Sequence, residues 1–209
     1  AERVSLQDLT DAMRLMYRWL TVLTVRIPDA DVVHATAAGL TGLLGILATE
    51  DRSTAFVLSE HGIYLREILL ALSRSQLSRF AQLFQAQFTQ RITETSYAYA
   101  HRITPCSDYN QRWELHKGAW PANLQTVHNG VDATRFYARE HDLPDDTPPT
   151  AIWLGRIDPL KDLETLIRAV AQVREALPDA RFVLYGKAPE GNEWYYDRCV
   201  ALRDELGLT

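Results

Sequence analysis

Short apolar runs alternate with helix-periodic stretches along almost the whole chain, and one polar, Pro-rich segment interrupts them. The runs are Val32–Ala35, Phe56–Ser59, Ile103–Cys106, Leu124–His128, residues 150–155 and residues 181–186. Helical periodicity fills the gaps: a stripe of Leu6, Leu9, Met13, Met16 and Leu20, then Ala37–Thr49, Ser75–His101, Asp108–Gly118, 162–177 and 192–206. Short strands joined by amphipathic helices require crossover connections, which predicts parallel sheets covered by helices on both faces. The interruption, EHDLPDDTPP at 140–149, has no periodicity and reads as a linker. The expected organisation is two α/β lobes, 1–139 and 150–209, joined by 140–149.

The balance of side chains narrows the partners. The 209 residues carry a net charge of −5, so no overall basic field draws the chain to nucleic acid, and any anion site must be local. Cys106 and Cys199 lie far apart with no metal-ligand spacing, no apolar run approaches membrane-spanning length, and no signal peptide is visible. These features point to a reducing, cytoplasmic compartment. No Cys/His cluster or H-x-x-x-H pair supports a metal, and no cofactor is expected.

Ligands of open parallel sheets sit beyond the carboxyl ends of the strands, which singles out the residues just after each run. WLGRIDPLK at 153–161 is the most informative. Gly155 lets a ligand or backbone approach closely, Arg156 offers a planar fork to two phosphate oxygens, and Lys161 adds a point charge at the mouth of a helix. Helix N–H groups and the positive dipole end beside Lys161 would complete a diphosphate seat. From spacing alone, a solvated Arg and Lys on a loop is an equal reading. His61, between Glu60 and Gly62, is either a satisfied structural histidine or a hydrogen-bond partner of a sugar hydroxyl; Glu60 then orients its ring or meets substrate, or else has a surface or helix-capping role. His34 reads as packing, Asn129-Gly130 as a turn, and Trp194-Tyr195-Tyr196 as helix packing.

Taken together, VHNGVDATRF (127–136), the linker, WLGRIDPLKDLETLIRAV (153–170), RFVLYGKAP (181–189), DVVHATAAGLTGLLG (31–45) and FVLSEHGIYLRE (56–67) resemble the retaining glycosyltransferases of family 4, which have the GT-B fold. The EHGIY form and Gly191-Asn192-Glu193-Trp194-Tyr195 are most similar to the branch that makes Pel-type bacterial exopolysaccharide. The resemblance implies two Rossmann-like lobes, the first acceptor-side and the second holding a nucleotide-sugar donor such as UDP-glucose. It implies that Arg156 and Lys161, with Gly155, bind the donor diphosphate without a metal, that His61 contacts the transferred sugar, and that Glu60 and Gly62 are further substrate contacts. A glycan acceptor follows, with a membrane-associated polysaccharide synthesis complex as the setting.

The family's glycine-rich loop of the first lobe and its second-lobe Glu, seven residues, Glu segment are both absent. The resemblance therefore implies an internal fragment with both lobes incomplete, inactive by itself. The alternatives are a nucleotide-sugar epimerase and a non-catalytic nucleotide- or polysaccharide-binding module.

Overall fold

The computed structural model describes residues 3–136 and 147–208. The chain divides into two compact units, Ala1–Phe136 and Tyr137–Thr209. Residues 140–146 of the expected linker lie outside the described residues, as does the expected end of the first lobe at 139.

The first unit opens with helix α1, Leu6–Leu20. Its start is a reciprocal cap: Asp8 N–H donates to Ser5 Oγ (3.1 Å) and Ser5 N–H donates to the Asp8 carboxylate (2.9 Å), so Asp does the work usually given to Glu. The Leu6, Leu9, Met13, Met16 and Leu20 stripe faces solvent, while Ala12 is buried and the Trp19 ring packs on Tyr64 and Phe88. Strand β1 (Val32–Ala35), α2 (Leu40–Arg52), β2 (Ala55–Glu60), α3 (Tyr64–Ser73), α4 (Arg79–Tyr99), β3 (Arg102–Pro105) and α5 (Asp108–His116) follow. The strands form one parallel sheet in the order β1-β2-β3, with Ala35 opposite Leu58 and Leu58 opposite Ile103.

Strand alternation divides this sheet into two unlike faces. Phe56, Leu58 and Ile103 join Ala35, Ala38, Tyr97 and Ala100 in a continuous core beneath α2 and α4. Helix α2 packs closely on β2 because Gly45 has no side chain; a Cβ there would lie 2.2 Å from the Phe56 ring. The other face, with His34, Val57, Ser59 and Thr104, stays exposed or half-exposed among the described residues. Covering on both faces is thus corrected to covering on one.

Two elements differ from expectation. A separate helix, α3, occupies residues 64–73, and α4 begins only at Arg79, where the Ser78 hydroxyl accepts from Ala81 N–H. Residues 124–128 run beside β3, with Gln125 N–H on Ile103 O (3.0 Å) and Val127 N–H on Pro105 O (2.9 Å), yet they form a single bridge, Ile103 to Leu124. The next bridge would need an N–H on residue 105, and that residue is proline.

The second unit contains β4 (Thr150–Leu154), α6 (Leu163–Ala176), β5 (Arg181–Tyr185) and α7 (Glu193–Glu205). The two strands are parallel, with Ile152 opposite Val183. Ile157, Leu163, Ile167, Tyr195, Cys199 and Leu202 form its core, against which Trp153 packs. Both units are α/β with small parallel sheets, as expected. No helix among the described residues is long and apolar enough to cross a membrane.

Candidate functional site

In the first unit, the carboxyl end of β2 sends neighbouring residues in opposite directions. Glu60 lies on the covered face and is 1% exposed. Its Oε2 accepts the Tyr97 hydroxyl (2.5 Å) and its Oε1 accepts Tyr64 N–H (3.2 Å), so it caps the first turn of α3 from inside. Burial pushes its carboxyl above the usual range, and the hydrogen bonds from Tyr97 and Tyr64 pull against that rise. His61 and Gly62 are exposed. The imidazole Nδ1 of His61 lies 3.1 Å from Asn129 Oδ1. The expectation that Glu60 orients this ring is therefore corrected: Asn129 holds that place, and the Glu60 carboxylate is buried on its own partners. Among the described residues nothing lies within 4 Å of a Cβ built on Gly62, so their packing does not demand glycine there.

His34 is exposed rather than packed, and its Nε2 shares a hydrogen bond with Ser59 Oγ (2.8 Å), which in turn meets Thr104 Oγ1 (2.5 Å). This polar line crosses all three strands near their carboxyl ends.

Sequence reasoning missed Glu114. It sits on α5, wholly buried, with neither carboxylate oxygen hydrogen-bonded among the described residues. Burial, aided by the charge of Glu60, pushes its carboxyl up to about 8. The available signal was the lack of an apolar stripe in 108–116. Its inward residues, Asn110 and Glu114, stand four apart and are both polar.

In the second unit, the loops after β4 and β5 are laced together. Gly155 N–H donates to Tyr185 O and Ile157 N–H to Lys187 O, both at 3.0 Å. The crossing is so close that a Cβ on Gly186 would lie 2.0 Å from Gly155 O, and one on Gly155 would lie 2.9 Å from the Trp153 ring. Both glycines thus have an internal packing reason. Arg156, with its side chain 66% exposed, points Nε at Asp158 Oδ2 (3.4 Å). Asp158 is buried and also accepts Leu160 N–H (3.0 Å). The loop closes through Lys161 N–H on Asp158 O (3.0 Å), which brings Arg156 and Lys161 onto one compact turn. Lys161 is exposed and ends the short helical turn Pro159–Lys161. The first-turn amides of α6 are not all free, because the Asp162 side chain accepts Thr165 N–H (3.4 Å). Lys187, exposed on the neighbouring loop, is a third cation at the same sheet end. Such a cluster of cations and amides at the carboxyl end of a parallel sheet suits an anionic ligand.

Sequence and fold comparisons set the chain beside glycosyltransferases. Over 95 residues the chain is 36% identical to D-inositol 3-phosphate glycosyltransferase of Mycobacterium sp. (strain KMS), covering 43% of this chain and 21% of that protein. Over 191 residues it is 25% identical to the GDP-mannose-dependent alpha-(1-6)-phosphatidylinositol monomannoside mannosyltransferase of Mycolicibacterium smegmatis, covering 87% of this chain and 44% of that protein. Anabaena Alr3699/HepE, solved in complex with UDP, superposes with a TM-score of 0.66 at 18% identity, over 94% of this chain and 49% of that one. Sucrose-phosphate synthase from Thermosynechococcus elongatus gives 0.56 at 16% identity, over 96% of this chain and 46% of that one. The fold is the GT-B type of such glycosyltransferases, and the chain spans less than half the length of each of these relatives. The model of a family described as a domain of unknown function, DUF3492, matches residues 1–122, more than half of the chain, and the chain belongs to that family.

Proposed function

We propose that the chain is part of a glycosyltransferase that moves a sugar, with retention, from a nucleotide diphosphate donor such as UDP-glucose to a glycan acceptor. The observation that carries this reading is the laced loop 155–162, which presents exposed Arg156 and Lys161 on one turn at the carboxyl end of β4. Arg156 and Lys161 bind the diphosphate and stabilise it as it leaves, a charge role that requires no metal. Gly155 keeps the loop tight. His61 contacts the transferred sugar, Gly62 leaves room beside it, and Glu60 holds the strand end from which both project. The first unit is the acceptor-side lobe and the second the donor lobe.

The likeness to glycosyltransferases in both sequence and fold supports this, as do the structures of HepE with UDP, with UDP and glucose, and with UDP-glucose. The EHGIY form supports a place in exopolysaccharide synthesis, as a cytoplasmic protein peripheral to the inner membrane.

Calorimetric titration with UDP tests the diphosphate assignment. Arg156→Ala and Lys161→Ala should each weaken binding by about tenfold, the scale of one charge-assisted hydrogen bond. Unchanged affinity in both variants would overturn it. In the whole glycosyltransferase of which this chain is proposed to be part, a product of inverted anomeric configuration from UDP-glucose and an acceptor glycan would overturn retention.

A further inference from the structure

We infer that Asn129 is the positioning residue of His61: it accepts the Nδ1 proton and leaves Nε2 as a bare acceptor for a sugar hydroxyl. The two side chains are 68 residues apart in sequence and meet at 3.1 Å, Nδ1 to Oδ1. Their meeting is enforced by the residue between them, Cys106. Its N–H donates to Glu60 O (3.1 Å) and its Sγ–H to His61 O (3.1 Å), which fixes the end of β2. Its own carbonyl accepts His128 Nδ1–H (3.1 Å), which together with Val127 N–H on Pro105 O fixes the segment leading into Asn129. One cysteine thus clamps the backbone on both sides of the pair.

The chemistry follows from the inventory of donors and acceptors. An amide oxygen only accepts, so the ring nitrogen facing it must carry the proton, and the other nitrogen of a neutral imidazole is then a lone pair. Such a nitrogen pairs with a hydroxyl that donates and not with a carboxylate or carbonyl. The inference assigns this position to a hydroxyl of the sugar and not to a carboxylate or carbonyl. It rests on the reading of His61 as the sugar contact, but its test needs no sugar, so its failure and that of the nucleotide reading are separate results.

The experiment is proton–nitrogen correlation of the imidazoles in the isotope-labelled chain at about pH 8.5, where imidazoles are neutral. Signals of His61 are assigned by their loss in His61→Ala. The expected result is the Nδ1–H form in the natural chain, a shift toward Nε2–H in Asn129→Ala, and return of Nδ1–H in Asn129→Asp, whose carboxylate also accepts. An Nε2–H ring in the natural chain overturns the inference. So does an unchanged ratio in Asn129→Ala, or no recovery in Asn129→Asp.

Discussion

Glu114 is buried in the first unit with no donor to its carboxylate among the described residues, so its proton is part of the fold. Its carboxyl is pushed up to about 8 by burial and then by the charge of Glu60, against an ordinary value of 4.5. Between those values the folded chain holds a proton that the unfolded chain has released, so stability falls as pH rises through that window and levels off above it. Glu60, raised by its own burial, contributes in the same direction, although Tyr97 and Tyr64 hold its charged form in place. Glu114→Gln keeps the shape and cannot ionise. The variant should lose much of the alkaline decline and have a higher urea midpoint than the natural chain at pH 9. Parallel midpoint curves from pH 6 to 9 would show that Glu114 is not the group responsible. The residue was invisible in the sequence because a glutamate in a short polar helix reads as a solvated one. His61 was legible for the opposite reason, since its place after an apolar run puts it at a sheet's carboxyl end whatever its neighbours do.

Elements were legible where local chemistry suffices, and hidden where distant contacts decide. Ser5 and Asp8 mark the start of α1, and Ser107 marks that of α5 through its bond from Asn110 N–H, because capping is a contest among adjacent groups. Helix α3 has no side-chain cap of its own; its first turn is held by Glu60 from the preceding strand. The 124–128 segment has the right residues for a strand, but Pro105 in its neighbour withholds the next hydrogen bond. The Gly155 and Gly186 loops belong to this scale too: Gly186 is hemmed in by the Gly155 backbone crossing beside it, and Gly155 by the Trp153 ring of its own strand. Gly186→Ala places a Cβ 2.0 Å from a backbone oxygen, a contact that only a loop shift can relieve. It should cost about 2 kcal/mol, within the range for overpacking. Gly62→Ala, with open space around it, should stay within about 0.5 kcal/mol of the natural chain. Urea denaturation of the pair checks both, and equal midpoints for Gly186→Ala and Gly62→Ala would refute the crossing as the reason for Gly186.

At the scale of the whole chain, strand composition and helix cover are mismatched. The apolar runs read as strands buried on both faces, yet the described residues cover one face of each sheet. In the second unit the open face carries Ile152 and Leu154 at 68% and 82% exposure, with Tyr185 opposite Leu154. In the first, α1 adds its own solvent-facing Leu6, Leu9, Met13 and Leu20. Apolar surface gathered this way is unusual for a chain that stays monomeric in water. A net charge of −5 opposes association only at long range and is screened within about 8 Å at physiological salt. The chain should therefore bind a hydrophobic dye such as anilinonaphthalene sulfonate in its native state and associate as its concentration rises. Ile152→Thr with Leu154→Thr keeps β-branched or strand-compatible side chains while removing the most exposed apolar pair. Dye fluorescence and the sedimentation-derived mass at high concentration should both fall in the double variant, with the near-ultraviolet spectrum of the core aromatics unchanged. If both readings stay at the natural level while the spectrum is preserved, the open face of the second sheet is not the adhesive surface.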